Sequence, residues 1–173
     1  MEDRKLRARF KNAELDAQLE KDGYLLIRSW VDKDHIAKMR EVFDEFYKAP
    51  DFSTNLFNTL IMVAEKERKM ISDRLMELLK PFMEQYLYNY EPTFGYFQTK
   101  PVNKELRELP LHGDSSAVNE AKYDYHTIWL PLVDVDKNNG CIYLIPGSRR
   151  LFTYEQPFAI LWPYPHLEKQ LKK

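Results

Sequence analysis

Cysteine is almost missing from this chain. Cys141 is the one such residue among 173, which excludes an intrachain disulfide and a zinc cluster built from cysteine thiolates. Long apolar runs are missing too: "LIMVA" and "IWLPLV" fall far short of the roughly 20 residues that span a bilayer. The opening "MEDRKLRARF" mixes charges and has no apolar leader core. Neither sign of charge is in excess, since 26 Lys and Arg stand against 27 Asp and Glu for a formal net charge of -1. No global field is present to draw nucleic acid or an anionic membrane surface. Internal repeats and low-complexity tracts are also absent. The expectation is a soluble, unexported, cytoplasmic protein whose partner is a small molecule, with no nucleic acid and no membrane involved.

What is present is enough apolar material for a core, 44% hydrophobic and 14% aromatic, so residues 1–173 are expected to form a single domain. Residues 1–89 read as a mainly helical support region. "FKNAELDAQLEKDG" predicts a short helix ended by Gly23, and "YLLIRSW" a strand. Asp32 reads as an N-cap, and Ile36, Met39, Val42, Phe43, Phe46 and Tyr47 share one face of a helix ending near Pro50. A further helix is predicted from about Ser72 to Leu87, with Leu75, Leu78, Leu79, Phe82 and Tyr86 on its apolar side and Pro81 as a break or kink.

Residues 90–173 read as a β-rich portion. "EPTFGYFQTKP", "YDYHTIWLPLVDVD" and "CIYLIPGS" are strand-like, and Asn139-Gly140 is a strong hairpin signal. Helices first and strands second predict α+β, with helices packed on an antiparallel sheet. A sheet edge at Ile142 to Ile145 would want a further partner or a cover, so either dimerisation into a homo-oligomer or loss of stability is expected.

The chemistry centres on "LPLHGDSS". On a strand, His112 and Asp114 would project from one face, because side chains alternate with a period of two. An imidazole and a carboxylate so placed can take adjacent corners of a metal, and a second histidine would complete a two-histidine, one-carboxylate triad. A bare His-x-Asp also arises by chance as a hydrogen-bonded loop pair, and these residues alone leave both readings open.

Taken in order, "FQTKP", "LPLHGDSS" and "IWLPLVDVDKNNGCIYLIPGSRR" resemble the phytanoyl-CoA dioxygenase family of iron(II) and 2-oxoglutarate dependent oxygenases. "LEKDGYLLIRSWVDKDHIAKMREVFDEF" is similar to that family's amino-terminal strand and helix, so the resemblance runs from about residue 19 to 165. It implies a double-stranded β-helix (a cupin-like jelly roll) with the amino-terminal helices on the sheet, and Fe(II) with 2-oxoglutarate as co-substrate. His112 and Asp114 match the first histidine and the carboxylate. Related halogenases carry a small residue in place of the carboxylate, so Asp114 implies hydroxylation. Trp129 matches an aromatic position near 2-oxoglutarate, and Gln98 and Lys100 lie where family members reach co-substrate or substrate. Tyr96, Phe97, Tyr123, Tyr125 and Trp129 would suit an apolar pocket or simply core.

The chain departs from the family in two places. Arg149 stands where "PGSH" is usual, at a position that is not a ligand. The distal histidine and the arginine that pairs with 2-oxoglutarate come later in the family, and the chain is expected to lack both. His166 is the candidate third metal ligand. His126 is expected on the opposite face from Trp129 unless a bulge intervenes, and His35 to be exposed or packed on its helix. Arg149 and Arg150 have the fork that pairs with a carboxylate, on a loop that favours solvation.

Three functions follow. The first is an Fe(II)/2-oxoglutarate oxygenase acting on a small organic substrate. The second is a non-catalytic binding or scaffold protein on the same fold. The third is a cupin-like metalloenzyme that does not use 2-oxoglutarate, since these ligand types alone do not select the metal.

Overall fold

The computed structural model describes residues 9–47, 57–100, 112, 114, 118 and 123–148. In chain order they form β1 (Arg9–Phe10), α1 (Ala13–Asp22), α2 (Lys33–Phe46), β2 (Phe57–Asn58), α3 (Glu65–Tyr86), β3 (Leu87–Tyr88) and β4 (Gln98–Thr99). Strands thus interleave with the helices, which corrects the expected order of helices first and strands second.

Local chemistry sets the first two helices. Asn12 caps α1 by accepting from the N–H of Glu14 at 2.8 Å and of Leu15 at 3.3 Å. Gly23 ends the helix at φ 80°, a left-handed conformation that costs glycine nothing, and its N–H donates to the Leu19 carbonyl. Asp32 caps α2 through the N–H of His35 at 2.9 Å, and Met39 and Val42 on its predicted apolar face are 1% exposed. The intervening "YLLIRSW" is not a strand: Ser29 takes φ 53°, and the run has no ladder partner among the described residues. Trp30 instead ties the segment to α3, its indole N–H donating to the Phe82 carbonyl at 3.3 Å and its ring meeting Tyr86 edge-on at 5.9 Å.

The helix α3 begins at Glu65, ahead of the predicted Ser72. The charged "EKERK" turn is made of good helix formers, its glutamates favour the helix N-terminus, and Lys69 pairs with Asp73 at 2.6 Å. Pro81 neither breaks nor ends the helix. Leu79 and Met83 on either side of it are 9% and 5% exposed, so burial holds the turn that proline weakens. With Ile71 and Leu75 they form the stripe against which Met39, Val42, Val31 and Phe97 pack.

Two antiparallel pairs close the framework, β1 with β3 and β2 with β4, the latter in the register Phe57↔Thr99 and Asn58↔Gln98. The second pair continues irregularly: Thr59 N–H donates to the Phe97 carbonyl at 3.0 Å, and Phe97 N–H donates to the buried Thr59 hydroxyl at 2.9 Å.

From residue 123 on, the described stretch is irregular, with turns at 137–140 and 146–147 and no strand beyond a single bridge at Tyr123. The strands expected in "YDYHTIWLPLVDVD" and "CIYLIPGS" carry no ladder, and the two rolled sheets of a double-stranded β-helix are not seen among the described residues. Asn139-Gly140 forms a turn with no hairpin ladder among the described residues, and of the two only Gly140 takes a positive φ (98°). Asp136 organises it instead: its carboxylate accepts from Asn138 N–H at 2.6 Å, and its carbonyl accepts from the N–H groups of Asn139 and Cys141. Gly147, at φ 73°, donates its N–H to the Asp22 carbonyl at 2.7 Å, so the "PGS" turn meets the last carbonyls of α1. No described helix is long and apolar enough to cross a membrane.

Two outcomes are expected. Ile71, 0% exposed, lies at the middle of the packed stripe, so Ile71→Ala should cost about 2–5 kcal/mol in denaturant unfolding. The N–H and then the imidazole of His35 hold the Asp32 carboxyl below its ordinary value of 3.8. The stabilisation this gives is complete above that ordinary value and is lost as pH falls through the lower, folded one. Asp32→Asn, which still caps, should flatten this part of the acid limb of the circular-dichroism signal of α2.

Candidate metal centre

The stretch from Phe94 to Lys100 is the platform of the site. Gly95 lies directly on α3: its N–H donates to the Ser72 hydroxyl at 3.0 Å, and a Cβ there would sit 3.1 Å from Leu75 Cβ and 2.8 Å from Met76 Cε. A side chain there would require Leu75 and Met76 to shift, so glycine gives the closest approach. Phe97 is 6% exposed and meets the Phe43 ring edge-on at 5.2 Å. With these two residues turned to the helices, the alternation of extended backbone turns Phe94, Tyr96, Gln98 and Lys100 the other way. The Phe94 and Tyr96 rings accordingly neighbour each other at 6.1 Å.

His112 and Asp114 come together, the imidazole Nε2 lying 3.4 Å from the carboxylate Oδ1. Neither residue is in a strand, so their meeting is set by the local course of the chain and not by the pleat that the sequence suggests. Their side chains are 24% and 65% exposed, which leaves the carboxylate open on one side. Two donors this close suit adjacent corners of one ion, whose bonds to nitrogen and oxygen run about 2.0–2.2 Å. The donor types, one imidazole and one carboxylate, suit iron, manganese or zinc alike.

The charge of Asp114 reaches two phenols. Burial, then Asp114, then Tyr125 push the Tyr96 hydroxyl above its ordinary pKa. Burial pushes Tyr125 up, a hydrogen bond with Thr93 opposes this, and Asp114 adds to the rise. Both phenols therefore stay neutral at physiological pH.

The other candidates are dispersed. Gln98 is exposed in β4, and the Lys100 stem lies against the turn at Gly140, 3.6 Å from where a Cβ would stand. Trp129 is 44% exposed, while its neighbours Leu130 and Leu132 pack on the helical core. His35 is engaged with the Asp32 carboxylate at 2.9 Å and with the Phe82 ring edge-on at 4.8 Å. His126 is exposed, and among the described residues no three His, Cys, Asp or Glu side chains form a metal-holding group. His166, Arg149 and Arg150 lie outside the described residues. A shallow cleft of about 680 Å³ opens between α1 and the β1–β3 pair, lined by Phe10, Ala13, Ala17 and Tyr88 among others, and none of its lining residues belongs to this cluster.

Sequence reasoning missed Thr93 and left Tyr96 and Tyr125 among general aromatic supply. The signal lay in "TFGYFQTK": glycine inside an alternating run marks a close backbone approach and so fixes which face is free.

Compared with models of known protein families, residues 19–170 match the phytanoyl-CoA dioxygenase (PhyH) model. Neither the curated proteins nor the solved structures gave a match.

Proposed function

The chain belongs to the phytanoyl-CoA dioxygenase family, and from that premise we propose that it is an Fe(II)/2-oxoglutarate dependent oxygenase that hydroxylates a small organic substrate. The observation that carries the reading is the approach of His112 Nε2 to Asp114 Oδ1 at 3.4 Å with the carboxylate open to one side. Family membership also supports a single domain built as a cupin-like double-stranded β-helix, with α1 to α3 as its helical support.

In this reading His112 and Asp114 would hold the metal, with His166 the candidate for a third ligand. Iron(II) with 2-oxoglutarate supplies, when bound, the oxidising power that converts an unactivated C–H bond to C–OH, with dioxygen consumed and succinate and carbon dioxide released. The chain supplies position and surroundings. His112 contributes a neutral nitrogen donor and Asp114 an anionic oxygen, so together they offset one of the two metal charges. Gln98 and Lys100 lie on the platform face that also carries Tyr96, where an amide and an ammonium group are suited to a carboxylate of the co-substrate. Trp129, at the position that the family resemblance sets near 2-oxoglutarate, would offer an aromatic face to it. The platform is backed by Gly95 and Phe97, whose contacts with α3 and α2 fix it from behind.

Anaerobic titration with iron(II) and 2-oxoglutarate tests the assignment. The wild type should develop the weak visible charge-transfer band of the chelate, and Asp114→Ala and His112→Ala should each abolish it. A band that persists in both variants would move the metal away from this pair.

A further inference from the structure

A thioether sulfur is soft and oxidisable, and what oxidation does depends on its exposure and on what the sulfur already holds. Met39 and Met83 are 1% and 5% exposed in the core shared by α2 and α3, and Met76 is partly buried beside Gly95. Met62 and Met70 are open to solvent, at 39% and 45%. The Met62 sulfur accepts from the N–H of Asn58 at 3.3 Å, whereas the Met70 sulfur takes part in no hydrogen bond among the described residues.

The sulfur has a definite structural place. Thr59 N–H donates to the Phe97 carbonyl, and N–H groups along a strand alternate in direction, so the N–H of Asn58 points to the outer edge of β2. Met62 covers it there. The rest of the turn closes around the same asparagine: its carbonyl accepts from the N–H groups of Ile61 at 3.3 Å and Met62 at 3.0 Å, and its side-chain oxygen from Leu60 N–H at 2.8 Å. The Leu60 carbonyl accepts from the Arg68 guanidinium at 2.6 Å, which ties the turn to α3. Thr59, next to Asn58, is 1% exposed and bonds Phe97 twice. The sulfur therefore caps the outer edge of a strand whose inner edge holds the platform.

We propose that Met62 is a site of reversible oxidation by peroxide, and that its sulfoxide releases the Asn58 N–H and loosens the turn from Asn58 to Met62. One lone pair of the sulfur is aimed at Asn58, and a separation of 3.3 Å leaves no room for an oxygen between the two atoms. The oxygen therefore adds at the other lone pair. In that step the S–O bond forms as the O–O bond of hydrogen peroxide breaks; the sulfur gives up two electrons, and the second peroxide oxygen leaves as water with both protons. The oxidised sulfur carries partial positive charge and can no longer accept from an N–H, while its new oxygen points away from Asn58. Sulfoxide reductases, one for each epimer, restore the thioether. The proposal is independent of the reading of His112 and Asp114 as metal ligands.

Dilute hydrogen peroxide on the folded protein, followed by peptide mass mapping and amide hydrogen exchange, tests this. Met62 and Met70 should each take up one oxygen while Met39 and Met83 keep their thioethers. Met62 should give one sulfoxide epimer in excess, so that one of the two stereospecific reductases restores most of it, whereas Met70 should need both. The Asn58 and Met62 amides should exchange about threefold to tenfold faster after oxidation, the equilibrium worth of one hydrogen bond, with Leu75 in α3 unchanged. Peroxide-treated Met70→Leu should show the same acceleration and Met62→Leu, a volume-conserving change, should show none. Reversal by the reductase in the wild type makes the same comparison without a substitution. A Met62 that stays unoxidised while Met70 reacts, equal epimers at Met62, or turn amides that do not change once Met62 is oxidised would each overturn the proposal.

Discussion

The stripe of Ile71, Leu75, Leu79 and Met83 along α3 is the surface on which the rest of the structure is laid. Burial of an aliphatic side chain of this size stabilises by about 1.5–3 kcal/mol, and four lie in one row. A proline inside a helix costs about 3 kcal/mol, so the stripe outweighs Pro81 and the helix runs through it. Met39 and Val42 of α2 cover part of the row. Gly95 and Phe97 meet it from another direction, with the bare glycine backbone coming to the distance of a side-chain contact.

That one contact fixes which way the next residues face. With Gly95 and Phe97 committed to the helices, Tyr96, Gln98 and Lys100 are turned toward the region that holds Asp114 and the Gly140 turn. Among the described residues, a short segment from Phe94 to Lys100 joins the helical layer to the side on which Lys100 meets the Gly140 turn. Thr93 and Tyr125 add a polar tie near its start, and the Gly147 hydrogen bond to Asp22 adds another between α1 and the far end of the described chain. Family membership gives this arrangement its chemical sense: a site whose donors lie on irregular backbone needs a rigid layer behind it to keep them within bonding distance.

What was legible in the sequence was mostly local. Asn12, Gly23 and Asp32 announce the ends of α1 and α2 because capping depends on residues within one turn. The apolar spacing of α2 and α3 gave the core face for the same reason. Pro81 does not break the helix because its local cost is set against burial supplied by distant residues, and "YLLIRSW" misled because β propensity needs a partner strand to be realised. Asn139-Gly140 misled through Asp136, whose carboxylate captures the turn that a hairpin would otherwise use. That His112 and Asp114 lie close together was legible from their spacing. The company of Tyr96 and Tyr125 was not, since it comes from segments brought together only by folding.

Amide hydrogen exchange at Gly95 and Phe97, compared with the buried turns of α3, tests most directly whether the platform is held by that stripe. Their N–H groups donate to Ser72 and Thr59 side chains, so strong protection there requires the segment to stay packed where those side chains hold it. The account predicts that both amides exchange as slowly as those of Leu75 and Leu79, through the same global opening. Fast exchange at Gly95 and Phe97 while α3 stays protected would contradict it, because the metal-side residues would then have no fixed layer behind them.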